Sequence, residues 1–258
     1  MSVSWMKTGE ESEELAQREK KAAEARQAEQ GKAFRYGLKV TGSSPTNGQI
    51  LFLDGALNPK AGNKLTPLRF YEHTVMHQGN WGNYICPEQS APQNKDRCPI
   101  CEGKDKPALV SVFSVLDLVP YTTKAGNILP FTRKLFVAKP RTMDILQSYA
   151  MKRGGLTGWI VDTTRATSKD ASVGSAFDFQ HKVDPAEAAK KYVRTYKKDG
   201  AEVTESLFAP LDYAKELVFR TGDELRALGF GAPVAMGGMG GGMSAPQAAA
   251  SDDYDSHL

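Results

Sequence analysis

The chain has 258 residues, 40% hydrophobic and 24% charged, which supplies enough apolar mass for a buried core and excludes a wholly disordered chain. No apolar run approaches the ~18 residues of a membrane span, and no apolar stretch follows the N-terminal charges, so a cytoplasmic protein is expected rather than a membrane or secreted one. Three cysteines, an odd number, do not make a disulfide framework.

The net charge of +3 conceals a segregation. Residues 1–30 hold five Lys/Arg and seven Glu, and residues 231–258 hold three Asp and no Lys or Arg. The block 31–230 therefore keeps 28 basic and 20 acidic side chains, an excess of eight positive charges. A basic body with an acidic end points to a polyanionic partner.

In chain order, residues 10–30 are rich in Glu, Ala, Lys, Arg and Gln, all helix formers. Leu15 is the one large apolar residue there, so this helix has no face to bury, and Gly31 is a fitting stop. Residues 1–31 thus form a charged N-terminal unit. The pattern then changes to short strands at 34–40, 50–53, 68–77, 108–119, 131–138, 158–164 and 175–183, bounded by turn chemistry such as SSPTNG, LNPKAGNK and GNWGN. A helix is predicted over 141–152, with Met143, Leu146 and Ala150 at helical spacing and Gly154–Gly155 ending it. This pattern predicts a mainly β fold with accessory helices, closer to a small barrel than to alternating βαβ units. Residues 184–230 return to helix: Asp184 caps a helix with Pro185 at its first position, APLDYAKELVFR is amphipathic, and Thr221 and Glu224 form a capping box. Residues 231–250 are Gly- and Met-rich, a flexible linker, and 251–258 form an acidic tail.

The most specific signal is His73-x12-Cys86-x11-Cys98-Pro-Ile-Cys101. Three thiolates and one imidazole suit a tetrahedral Zn2+, and a C-x2-C turn aims two sulfurs at one ion. No ligand position remains for water, so the site is structural and its binding energy stabilises the loops it ties together. Spacing alone leaves His73 and His77 open as the fourth ligand, because both precede Cys86 and alternation puts them on one strand face. A thioredoxin-like Cys98–Cys101 pair lacks its βαβ context. A deaminase needs His-x-Glu and Pro-Cys-x-x-Cys, but Val75 lies two residues after His73 and Arg97 precedes Cys98.

Aromatic and basic residues interleave between 69 and 198. A single nucleic-acid strand needs cations for its phosphates and flat rings for its bases. On that chemistry the candidate contacts are Arg69, Tyr71, Tyr84, Tyr121, Phe131, Arg133, Lys134, Lys139, Arg141 and Arg194, with Phe131-x-Arg133-Lys134 the best local group.

His73, Gly79–Asn80–Trp81, Tyr84–Ile85–Cys86 and Cys98–Pro99–Ile100–Cys101 together resemble the zinc subdomain of the T-even bacteriophage helix-destabilising proteins. The resemblance is specific over about 70–101 and diffuse over 108–183. It favours His73, which has the x12 spacing. It implies an OB-fold barrel over 32–230 with a zinc subdomain inserted at about 66–106. It also implies one structural Zn2+ and non-enzymatic, sequence-independent coating of single-stranded DNA during replication, recombination and repair in the host cytoplasm. The Cys86–Cys98 spacer is longer than in the best-known member. Self-association along DNA is a further implication, although residues 10–30 stand where the family has a short basic motif. Asp252, Asp253 and Asp255 would then recruit replication and recombination proteins.

Two other readings compete. A zinc-containing RNA- or duplex-DNA-binding regulator would carry a polar recognition helix, and the predicted helix 141–152 is mostly apolar. A nuclease would need converging acids, and Asp54, Asp117, Asp144 and Asp162 show no D-x-D cluster.

Overall fold

In the computed structural model the described residues are 13, 17, 34–40, 44–77, 79–122, 126, 128–198 and 201–231. Of the charged stretch 10–30 only Glu13 and Gln17 are described, both helical, and the acidic tail lies outside the described residues.

Strand β6 (Ala108–Asp117) is the axis of the molecule. Its run of Val, Phe and Leu carries no polar alternation because both of its faces are covered. Five further strands reach it directly or in sequence along one edge. The N-terminal half of that edge pairs with β4 (Leu68–His77), and the C-terminal half pairs with β1 (Thr46–Phe52). The opposite edge pairs along its length with β9 (Thr132–Ala138). Strands β10 (Trp159–Arg165) and β11 (Ala176–Lys182) extend the sheet beyond β1, and β5 (Asn80–Ile85) extends it beyond β4. All pairings of this seven-stranded sheet are antiparallel. Two strands sharing one edge of β6 require that strand to be strongly coiled. Small two-stranded ladders join β2 (Leu57–Asn58) to β3 (Lys64–Leu65) and β7 (Tyr121–Thr122) to β8 (Ile128–Leu129).

Among the described residues no strand ladder joins β9 to β11. Residues 34–40, expected as a strand, form only one parallel bridge, Arg35 to Leu135. They cross from β9 toward the β10–β11 hairpin, where Leu38 N–H donates to the Ser172 carbonyl (2.7 Å) and Tyr36 and Thr163 hydroxyls meet at 2.5 Å. Gly37 and the Gly/Ser/Pro-rich stretch that follows are poor ladder formers, which explains the shorter pairing.

Helix α3 (Pro140–Arg153; α1 and α2 are the short helices of the metal lobe below) ends at a left-handed Gly154 cap. Its Met143, Leu146 and Ala150 pack with Phe52, Phe113, Phe136 and Val161 in the inner core. The outer face of the sheet is covered by residues of the segment 185–217. There α4 (Pro185–Lys191) is capped by the Asp184 carboxylate, as the sequence indicates. The expectation that 184–230 return to helix is corrected in part: 193–206 form a hairpin of β12 (Val193–Lys198) and β13 (Ala201–Ser206), and the amphipathic 209–220 stretch yields only the short helix α5 (Tyr213–Glu216). Val193, Thr195, Tyr196, Val203 and Thr204 are β-branched or aromatic, and the cross-strand Thr195–Thr204 hydroxyl contact (3.1 Å) favours the hairpin. Tyr192 and Leu207 bury themselves on Leu51, Leu116 and Ile160. Further on, Tyr213 donates to the half-buried Asp54 carboxylate and accepts from Ser114 Oγ (2.9 Å), pinning 207–217 to the sheet. No described helix is long and apolar enough to cross a membrane.

Candidate metal centre and nucleic-acid interface

The candidate metal ligands are set out by two prolines and one hairpin. A residue preceding proline is pushed into extended backbone, and both Cys86 and Cys98 precede one. Their dihedrals nearly coincide (φ −72°, ψ 113° and φ −87°, ψ 113°), and each opens a four-residue helix, α1 (Pro87–Ser90) and α2 (Pro99–Glu102). One turn of α2 brings Cys101 back beside Cys98. The β4–β5 hairpin, read from sequence as a turn at GNWGN, supplies the other side: Gly79 takes the positive φ (80°) that the tight turn requires. His73 lies on the β4 face that also carries Tyr71 and Val75.

The donor atoms of His73, Cys86, Cys98 and Cys101 lie within 4.8 Å of one another, close enough to hold a metal ion. His73 Nε2 is 3.4 Å from the sulfurs of both Cys98 and Cys101, and the Cys86 and Cys101 sulfurs are 3.6 Å apart. No disulfide links them. The structure resolves the choice between the two histidines. His77 is outside the group, with Nε2 donating to the Leu228 carbonyl (2.8 Å). Asp105, which nothing in the sequence singles out, holds His73 Nδ1 at 2.6 Å. A carboxylate on that nitrogen fixes the tautomer and aims the Nε2 lone pair at the centre. Burial pushes the Cys98 and Cys101 thiols above their ordinary range, and the crowding Cys86 sulfur raises both further. Metal binding at such thiols displaces protons.

A C-terminal arm closes this lobe. Helix α6 (Gly222–Ala227) begins with the expected capping box: Glu224 N–H donates to Thr221 Oγ1 at 3.2 Å, and Thr221 N–H donates to the Glu224 carboxylate at 2.7 Å. Gly222 N–H donates to Asp96 (2.6 Å), and a Cβ at Gly222 would fall 2.2 Å from the Arg97 carbonyl, so this approach requires glycine. Leu225 is fully buried against Cys86, Cys98 and Ile100, and Arg226 pairs with Glu102 at 3.1 Å. Phe230 stacks on His77 (4.1 Å) and meets Tyr84 edge-on (4.8 Å). These arm contacts join residues more than 120 positions apart, and no local pattern announces them.

The candidate DNA contacts do not form one group. Tyr71 and Tyr84 pack around the metal cluster. Phe131 meets Tyr192 edge-on (5.0 Å) on the outer face. Close by, Arg133 and Arg194 share the Glu205 carboxylate, Arg194 at 3.2 Å and over the Tyr196 ring. Lys134 projects from the opposite face of β9 and pairs with Asp117 (2.8 Å). Arg69, Lys139 and Arg141 are exposed, and Tyr121 is half-buried on β7. Arg69 and Ala138 flank Ser111 in one row of the sheet, which places Arg69 and Lys139 on either side of β6. Sequence reasoning passed over Met76 and used Trp81 only as part of the motif around the first cysteine, not as a candidate contact. They are register partners on the hairpin face turned away from the metal, 58% and 38% exposed.

Comparison with known protein families and with curated proteins gives no match to this chain.

Proposed function

We propose that this chain is a non-enzymatic OB-fold protein of the T-even phage helix-destabilising type, which coats single-stranded DNA. The observation that carries the reading is the convergence of His73, Cys86, Cys98 and Cys101 at the end of an antiparallel sheet, in a body with eight excess positive charges over 31–230. The metal is one structural Zn2+. A tetrahedron with Zn–S of about 2.3 Å and Zn–N of about 2.05 Å has edges of about 3.8 Å and about 3.6 Å. The 3.6 Å and 3.4 Å separations support it, in a set whose donor atoms all lie within 4.8 Å, and a sulfur-rich set with no open position suits zinc held for structure.

The shared edge of β6 and the crossing of residues 34–40 support an OB-type barrel. The exposed Trp81–Met76 pair supports base stacking at the hairpin, worth about 1–3 kcal/mol per base. Asp252, Asp253 and Asp255 serve as a hook for replication, recombination and repair proteins. Fluorescence titration with a dT oligonucleotide over a range of salt tests the reading. Binding is expected to weaken with a slope of about −0.7 per neutralised phosphate, and duplex DNA or RNA is expected to compete poorly. Salt-insensitive binding, or tighter binding of duplex, refutes it.

A further inference from the structure

At one end of the inner core, where α3 gives way to β10, a guanidinium sits in a box of rings. Arg153 Cζ lies 5.0 Å from the ring centroids of Trp159 and Phe179 and 5.7 Å from that of Tyr149. The rings hold one another: Tyr149 lies against Phe179 at 4.7 Å, and Trp159 meets it edge-on at 6.0 Å. Among the described residues Arg153 makes no hydrogen bond and no ion pair. That is unlike Arg133, Lys134 and Arg194, whose charges the protein itself neutralises.

The carboxylates of the two adjacent strands are turned away. Val161 and Phe179 face the inner core, so Asp162 and Asp178 project from the opposite face, where Gln49 and Gln180 bind them at 2.7–2.9 Å. More positive charge is near. Lys182 is the register partner of Trp159, its stem runs over Gly158, and both it and Lys152 are exposed. A guanidinium held among aromatic rings has lost rotamer freedom, and although the Arg153 Nε is buried without a partner, its terminal N–H groups remain for an anion such as phosphate.

We propose that this ring-boxed Arg153, flanked by Lys182, is a phosphate-binding site that grips the backbone of the bound strand. The inference rests on the single-strand reading and adds to it a contact at the far end of α3. Two measurements on the full chain test it. In the first, phenylglyoxal modification is mapped by mass spectrometry with and without a saturating dT oligonucleotide, and Arg153 is expected to be protected. In the second, Arg153→Gln is expected to bind the oligonucleotide about tenfold more weakly, with the salt slope shallower by about 0.7 and the thermal midpoint monitored alongside. If that variant does not fold, Lys182→Gln, a surface change, is expected to weaken binding with the same loss of slope. Wild-type affinity and slope in the variants, or Arg153 reacting equally fast with DNA present, overturns this site and leaves the single-strand reading standing. Absence of oligonucleotide binding by the wild-type protein overturns both.

Discussion

Leu225→Ala tests whether the C-terminal arm is part of the metal lobe. The side chain is fully buried against Cys86, Cys98 and Ile100. Truncating a leucine in such a place removes the transfer free energy of three carbons, at about 0.8 kcal/mol each, and leaves a cavity that adds to the loss. The metal ligands fix the walls on one side, so the gap cannot collapse freely, and a cost of about 3 kcal/mol is expected from the 2–5 kcal/mol range of such changes. Packing that exists only around an assembled cluster is linked to metal binding. The loss should therefore appear as about a hundredfold weaker metal affinity, since each 1.4 kcal/mol is tenfold. Competition for Zn2+ with a chromophoric chelator at pH 7 reads this directly. Val119→Ala, at a 46% exposed position outside the lobe, serves as control. A Leu225→Ala protein that melts earlier yet binds metal within twofold of wild type would show that arm and metal centre are independent.

Three further outcomes are expected. Cys98→Ser should lose stoichiometric metal and melt at lower temperature while keeping part of its DNA affinity, because the ion shapes the lobe rather than touching bases; elemental analysis showing full metal content refutes the ligand set. Asp105→Asn should weaken metal affinity by about 10–100-fold through loss of His73 orientation, and an unchanged chelator titration counts against it. Burial pushes the Asp54 carboxyl above its ordinary 3.8, against hydrogen bonds from Tyr213 and Ser114 that pull it down. The folded state thus binds this proton more tightly than the unfolded chain. Its contribution is full below pH 3.8 and is lost as pH rises through the raised value. Asp54→Asn should flatten that decline in denaturant-derived stability as pH rises above 3.8, and an identical slope in both proteins removes Asp54 as its source.

Local chemistry made much of this protein legible. Strand β4 begins and ends at the predicted residues 68 and 77, and β6, β9, β10, β11 and α3 fall within two residues of theirs. Strand β6 was legible as a continuous apolar run buried on both faces, and the others by β-branched and aromatic enrichment or helical spacing between turn signals. The clustering of all three cysteines between 86 and 101, two of them in a C-x2-C turn, made the thiols recognisable as a set because ligand geometry in such a turn is built from adjacent residues. The hairpin 193–206 was misread because its apolar positions suit either period, and packing of Tyr192 and Leu207 on the sheet decides between them.

From sequence alone came the β-rich body, its segregated charge and the three cysteine ligands, all of which depend on neighbours within a few positions. Tertiary structure brought His73, which the resemblance already favoured, to the sulfurs and left His77 outside, placed Asp105 at the His73 ring and folded Leu225 and Phe230 over the cluster. It also neutralised Arg133, Lys134 and Arg194 while leaving Arg153 among rings. Those outcomes depend on pairs of side chains far apart in the chain, whose encounter is fixed by how strands pair and coil around β6. Residue type alone carries no record of it.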